Sequence, residues 1–151
     1  MTDTILLAVD GSEHAWKALE VAADLASSRG ARVVALHVVP VEIMPEELRT
    51  FAQVENLPLE EEYARWHDSR LLGDALTREA ETRLKAKGVA AVTTRVAEGP
   101  VVTGIIETAG EEAASMIVMG SRGLSDAAGL FLGSISHRVS HLASCTVVVV
   151  K

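Results

Sequence analysis

Uninterrupted hydrophobic runs alternate along this chain with stretches in which apolar residues recur at helical spacing. The first run, residues 4–10, is apolar throughout and ends in an acid, which is typical of a strand buried on both faces. Gly11-Ser12 follows, and alanines and leucines then recur at helical spacing as far as Arg29-Gly30, where a basic residue and a glycine predict the end of the helix. The chain therefore opens with a βα unit.

The same alternation continues to the end of the sequence. Further strands are predicted at residues 32–39, 91–97, 115–119 and 146–150, and helices at residues 59–87, after Pro100 and from about Ser134. Residues 91–97 alternate polar and apolar side chains, which suits an edge strand. Residues 41–58 hold two prolines and little periodicity, and they predict a long, partly helical connection over the end of the second strand.

This βαβαβαβαβ order predicts the α/β class. Parallel strands need a crossover between them, and the intervening helices supply it with the usual right hand. We expect a single doubly wound domain over residues 1–151, with helices on both faces of a five-stranded parallel sheet of order 3-2-1-4-5. Ligands of such folds bind beyond the carboxyl ends of the strands where the winding reverses, here between the first and fourth strands.

Composition and charge exclude several classes of protein. The net charge is -7, from 14 basic and 21 acidic residues, and the basic residues are scattered, which argues against a nucleic-acid partner. The apolar runs are too short for membrane insertion. The single cysteine, Cys145, cannot form an internal disulfide and is expected to be inert core. With no signal sequence evident, a cytoplasmic location is expected.

A glycine-rich segment follows the fourth predicted strand. Two residues separate Gly120 from Gly123, and nine further residues lead to Gly133-Ser134 at the start of a helix. Glycines let backbone N–H groups approach a ligand, and a helix N-terminus attracts anions. The segment therefore predicts a phosphate-binding loop. The predicted topology brings Asp10, at the end of the first strand, to the same crevice.

Three polar side chains near this crevice each allow two interpretations. Asp10 could contact a ligand, or it could only cap the helix that begins after Ser12. Arg122 could pair with a phosphate through two guanidinium N–H groups, or it could be an exposed loop arginine. Ser134 could donate its hydroxyl to a ligand and could also be the N-cap of its helix.

The histidines give no strong indication of a metal site. His137 and His141 lie four residues apart on a predicted helix, a spacing that suits two metal ligands, but no acid or cysteine nearby completes a site. We expect a surface or interface pair. His37 lies in an apolar strand and is expected to be a hydrogen-bonded core residue, whereas His14 is expected to be exposed.

Beyond these patterns, the chain closely resembles the universal stress proteins. The resemblance rests on the glycine spacing, on Ile5-Leu6-Leu7-Ala8-Val9-Asp10-Gly11-Ser12 and on Ala35-Leu36-His37-Val38-Val39, and it covers nearly the whole chain. The glycine loop corresponds to the ATP-binding branch of that family. The resemblance implies a homodimeric, cytoplasmic protein that binds ATP and acts as a regulatory module in the stress response.

The resemblance also implies roles for individual residues. Asp10 is expected to contact the ribose or, through Mg²⁺, the phosphates, and the backbone of Val38 to contact the adenine edge. The glycine loop and the N–H group of Ile135 are expected to hold the phosphates. The full set expected at the adenine nucleotide is Ala8, Val9, Asp10, Val38, Met119, Gly120, Arg122, Gly123, Gly133, Ser134 and Ile135.

The last strand is expected to form the dimer interface. The resemblance implies that Val147, Val148, Val149 and Val150 pair with the same strand of a second copy, and an apolar edge strand left exposed would in any case favour aggregation.

Residues 124–132 are expected to change their order when nucleotide binds. The protein that such a dimer would regulate is unknown from sequence.

An enzymatic role is the alternative to a regulatory one. The chain lacks the Gly-Lys-Ser/Thr of a P-loop and the G-x-S-x-G of a hydrolase elbow, which counts against fast ATP turnover and against a serine hydrolase. A slow ATPase, or a phosphoryl or nucleotidyl transferase, remains open, with Asp10 placing Mg²⁺ and Arg122 stabilising phosphate charge.

Overall fold

Helices separate successive strands, as the hydrophobic pattern predicts. The structure, a computed structural model, describes residues 2–40, 46–56, 60–123 and 132–151. The change of order predicted for residues 124–132 falls almost entirely outside these ranges, as do parts of the predicted connection 41–58. The elements are β1 (Thr4–Ala8), α1 (Glu13–Arg29), β2 (Arg32–Val39), α2 (Glu46–Val54), α3 (Glu60–Ala86), β3 (Val92–Glu98), α4 (Val101–Glu111), β4 (Met116–Gly120), α5 (Ser134–Leu142) and β5 (Thr146–Val150).

The five strands form one sheet of order β3-β2-β1-β4-β5 with every neighbouring pair parallel. The predicted doubly wound topology is therefore confirmed, with β3 and β5 at the edges. β1 lies at the centre, and Ile5, Leu6 and Leu7 are fully buried. Its pairing with β2 ends at Ala8, two residues earlier than predicted, so the chain leaves the sheet just before Asp10.

Helices cover both faces of the sheet, as predicted. On one face, alanines of α1 and residues of α3 such as Leu84 pack against the inward side chains of β1 and β2. On the other, Val102 and Ile105 of α4 and Val139 of α5 pack against Leu6, among others. Each fully buried aliphatic side chain contributes about 1.5–3 kcal/mol relative to exposure, so the two layers hold the sheet from both sides.

The helix ends follow from their capping residues. The Ser12 hydroxyl caps α1 by accepting from the Ala15 N–H group at 3.2 Å, and Gly30 ends the helix in the left-handed conformation that glycine adopts freely. The N-cap of α5 is Gly133 and not Ser134, which corrects the capping role considered for that serine. Because glycine has no side chain, no side-chain oxygen caps the first turn of α5.

Cys145 is less buried than predicted. It is partly buried beside the core formed with α4 and α5. Burial raises the pKa of its thiol, so the reactive thiolate form is disfavoured, in keeping with an inert residue. Within the described ranges, no helix is both long and apolar enough to cross a membrane.

Candidate functional site

A cavity of about 350 Å³ opens beyond the carboxyl ends of β1, β2 and β4, at the point where the winding of the sheet reverses. This is where the topology predicts a ligand site. Most of its wall is apolar, and its ionisable lining side chains in the described part of the chain are Asp10, His37 and Arg122. The predicted site residues on this wall are Ala8, Val9, Asp10, Val38, Met119, Gly120, Arg122, Gly123 and Ile135.

Gly133 and Ser134, the remaining predicted residues, are not on the cavity wall. The N–H group of Gly133 donates to the carbonyl of Ser121, so this donor already has a partner within the protein. Ser134 is exposed at the start of α5. The helix nevertheless reaches the cavity one residue further on, through Ile135 and Ser136.

Several lining residues were not predicted as part of a site. α4 contributes through its buried stripe, because Gly104 lets the helix lie against Val38, where an added Cβ would be 2.8 Å from a Val38 methyl carbon. Ile105 lies in the same stripe, and its apolar helical spacing predicts a core position but gives no signal of a place on the cavity wall. The unpredicted lining residues are Ser12, Ala15, Leu36, His37, Pro40, Val101, Ile105 and Ser136.

Asp10 orders the turn that connects β1 to α1. Its Oδ1 accepts from the Ser12 N–H group at 2.9 Å, and between them Gly11 has a φ of 84°, in the left-handed region that favours glycine. The same carboxylate side chain lines the cavity. The turn-capping interpretation and the ligand hypothesis are therefore compatible for Asp10.

Gly120 has a packing reason to be glycine that its spacing did not indicate. A Cβ placed on it would be 2.7 Å from the His14 Cβ and 2.8 Å from the His14 carbonyl carbon. The end of β4 thus lies directly against the first turn of α1. The missing side chain lets that helix, with its cap Ser12, begin beside the cavity.

The two ends of the glycine loop are joined at a buried contact. The Ser121 carbonyl accepts from the Gly133 N–H group and from the Ser136 hydroxyl, the latter at 2.8 Å, and the Ser121 N–H group donates to the Val150 carbonyl at 2.7 Å. Both serines are 2% exposed. The base of the loop is therefore held to β5 and α5 by hydrogen bonds among described residues.

Arg122 and His14 contact each other at the cavity margin. Their Nη2 and Nε2 atoms are 3.3 Å apart, and because a guanidinium can only donate, the histidine nitrogen is the acceptor. Arg122 is half-buried on the cavity wall, and its pairing with a phosphate stays a prediction. The prediction that His14 is exposed is wrong, because it is half-buried between Gly120 and Arg122.

The other histidines agree with their predictions in part. His137 and His141 are exposed on α5, and no group of three or more potential metal ligands occurs among residues 2–40, 46–56, 60–123 and 132–151. His37 is hydrogen-bonded as expected, with Nδ1 2.7 Å from the Val9 carbonyl oxygen. It is only half-buried, however, and it lines the cavity.

The fold and the cavity define a doubly wound α/β protein with a ligand-sized crevice at the switch point of its sheet. The chain belongs to the universal stress protein family, whose family model matches residues 1–151. This confirms the family resemblance found in the sequence.

Curated relatives match over the full length of the chain. "Universal stress protein in QAH/OAS sulfhydrylase 3'region" of Thermus aquaticus is 36% identical, and "Universal stress protein YxiE" of Bacillus subtilis is 33% identical, each with 100% of both chains covered. A solved structure of a universal stress protein in complex with cAMP is 26% identical, with a TM-score of 0.70 over 99% of this chain and 97% of the other.

Proposed function

We propose that this chain binds an adenine nucleotide, with ATP and Mg²⁺ as the working form, in the cavity at the switch point. The observation that carries the proposal is the composite wall, in which an apolar pocket beside Val38 adjoins Asp10 and Arg122. An apolar pocket with a few convergent polar groups is the usual form of a small-molecule site. The related structure in complex with cAMP supports an adenine nucleotide as the ligand.

The wall divides into a part that suits a base and a part that suits phosphates. Val38, Val101 and Ile105 offer apolar contact for the adenine. Arg122 and the first turn of α5 offer a fixed positive charge and a helix N-terminus for the phosphates. Mg²⁺ is commonly held by one or two carboxylates together with substrate phosphates, and among the described lining residues Asp10 would supply the carboxylate.

The function that follows is regulatory: the protein acts in the stress response according to whether its cavity is occupied by nucleotide, and it holds that nucleotide without fast turnover. No described residue on the cavity wall is a lysine, the residue that contacts the phosphates in P-loop enzymes. Nucleotide binding would then change a surface that a partner protein reads.

Thermal unfolding in the presence of nucleotide tests the proposal. A ligand at a hundred times its Kd adds about 2.7 kcal/mol to the free energy of unfolding, which for a chain of this size raises Tm by roughly 5–10 °C. We expect such a shift with millimolar ATP and Mg²⁺. Asp10→Asn keeps an oxygen for the Ser12 N–H group but removes the charge, and it should reduce the shift strongly.

The matched control is Asp24→Asn on the exposed face of α1, which should leave the shift unchanged. The absence of any shift for the unmodified protein would contradict nucleotide binding. If Asp10→Asn and the unmodified protein showed equal Tm shifts, the role of Asp10 would be limited to ordering the turn between β1 and α1.

We also propose that the protein is a homodimer joined through β5. Val147, Val148, Val149 and Val150 are partly exposed on this edge strand. Because the Val150 carbonyl faces β4 through its bond to Ser121, strand alternation turns the Val149 N–H group to the open edge.

Light scattering at micromolar concentration is expected to give twice the 16.0 kDa mass of one chain. Val149→Pro removes a donor on the open edge while sparing the bonds to β4, and it should give the single-chain mass. A single-chain mass for the unmodified protein would contradict the dimer.

A further inference from the structure

At the edge of the cavity, where β1 and β2 separate, a side chain takes the place of a backbone donor. Their last paired residues are Ala8 and Leu36, and the Val9 N–H group still donates to the Leu36 carbonyl at 2.8 Å. If the parallel ladder continued, the next bond would run from the Val38 N–H group to the Val9 carbonyl. The donor found at that carbonyl is the His37 ring, through Nδ1 at 2.7 Å.

The chemistry of this contact identifies the protonated nitrogen. A carbonyl oxygen can only accept, so the Nδ1 atom of His37 carries the hydrogen. The same hydrogen is present in the Nδ1-protonated neutral ring and in the imidazolium, so the bond is compatible with either charge state. The ring therefore supplies the donor that the backbone of Val38 would otherwise supply.

Helix α3 keeps the ring in this place. A Cβ added to Gly73 would be 2.9 Å from the Cδ2 atom of His37 and 3.2 Å from a methyl carbon of Val96. The helix thus lies against the ring, and a larger residue at position 73 would displace it. On the opposite face of β2, Gly104 of α4 lies equally close to the side chain of Val38.

We propose that His37 is a positioning residue for the nucleotide site, because its ring occupies the Val9 carbonyl and so leaves the Val38 N–H group for the edge of the bound base. The inference rests on the proposed function. A carbonyl at a partly buried position needs a donor, and without the ring the nearest one is the Val38 N–H group. That bond would extend the β1–β2 ladder by one step and close the crevice where the base binds.

Two substitutions separate the hydrogen bond from the bulk of the ring. His37→Asn retains an N–H donor near the position of Nδ1, whereas His37→Leu retains size and removes the donor. With ATP and Mg²⁺ in isothermal titration calorimetry, we expect His37→Leu to raise Kd about tenfold, the equivalent of one hydrogen bond, and His37→Asn to stay within about threefold of the unmodified protein.

Amide hydrogen exchange without nucleotide provides a second readout. The Val38 amide is expected to exchange fast in the unmodified protein and in His37→Asn, and to become protected in His37→Leu as it bonds to the Val9 carbonyl. Gly73→Ala gives the same test in a chain that keeps the histidine, because the added methyl displaces the ring. It should shift both readouts in the direction of His37→Leu.

Val39→Ala is the matched control, since Val39 faces α3 beside His37 but offers no donor. It should lower the urea midpoint and leave ATP affinity and Val38 exchange unchanged. Equal loss of affinity in Val39→Ala and His37→Leu, or unchanged Val38 exchange in His37→Leu, overturns the assignment. If the unmodified protein binds no ATP, the proposed function fails, while the exchange data still decide whether His37 withholds the Val9 carbonyl from Val38.

Discussion

Replacing Gly120 by alanine is expected to lower the free energy of unfolding by about 2 kcal/mol and to weaken nucleotide binding with it. The added Cβ would lie 2.8 Å from a backbone atom of His14, so the first turn of α1 must move away from β4. That turn contains Ser12 and follows directly on Asp10, and both residues line the cavity. A glycine-to-alanine change normally stabilises a compatible site by about 0.4–1 kcal/mol, but here the steric conflict is larger.

Gly110→Ala is the matched control for this prediction. Gly110 also lies within a regular element, α4, but no atom comes within 4 Å of the position of its missing Cβ. Its replacement should therefore stabilise the protein by about 0.5–1 kcal/mol. Urea titration gives the midpoints for both variants. If Gly120→Ala unfolds like the unmodified protein but binds ATP poorly, Gly120 serves the phosphates directly and the packing explanation is wrong.

The topology could be predicted because it depends on the local hydrophobic pattern and on the general rule that parallel strands are joined by right-handed helical crossovers. Apolar runs marked the buried strands, and the bounds of β2 agree residue for residue with its hydrophobic run. The end of β1 could not be predicted in the same way. Val9 is as apolar and as buried as the strand before it, but beyond Ala8 regular pairing with β2 gives way to the bond from His37.

The position of the site could be predicted, but the reasons for its residues could not. Asp10 and Gly120 converge because β1 and β4 are neighbours, which follows from the strand order. The glycine spacing indicated only phosphate contact, whereas Gly120 is also required by the backbone of His14, more than a hundred residues away in the chain. Contacts of this kind, like the bond from Ser136 to Ser121, have no local sequence pattern.

A cluster of charged side chains lies at the end of the sheet opposite the cavity, and a substitution there is also expected to have a large effect on stability. Glu112, at the end of α4, accepts from Arg32 of β2 at 2.7 Å and from Arg95 of β3 at 3.0 Å. Its side chain is 20% exposed. The hydrogen bond from Arg32, followed by that from Arg95, lowers the pKa of the Glu112 carboxyl in spite of the opposing effect of burial. This carboxylate joins α4 to two strands.

Glu112→Gln is expected to lower the free energy of unfolding at pH 7 by about 2 kcal/mol, within the range for hydrogen bonds to charged groups. Because the pKa of Glu112 is lower in the folded than in the unfolded state, the unfolded state binds more protons and stability rises with pH. The contribution is complete above the ordinary carboxyl value of 4.5 and is lost as pH falls through the lowered folded-state value.

Urea titrations across this range should therefore show the difference between the unmodified protein and Glu112→Gln shrinking as the solution becomes acidic. Glu79→Gln is the control, since its pair with Arg83 is exposed, with side chains 50% and 45% accessible, and should contribute less than about 0.5 kcal/mol. A deficit of the same size for both variants, or one that persists unchanged in acid, would show that the charge of Glu112 does not hold α4 to the sheet.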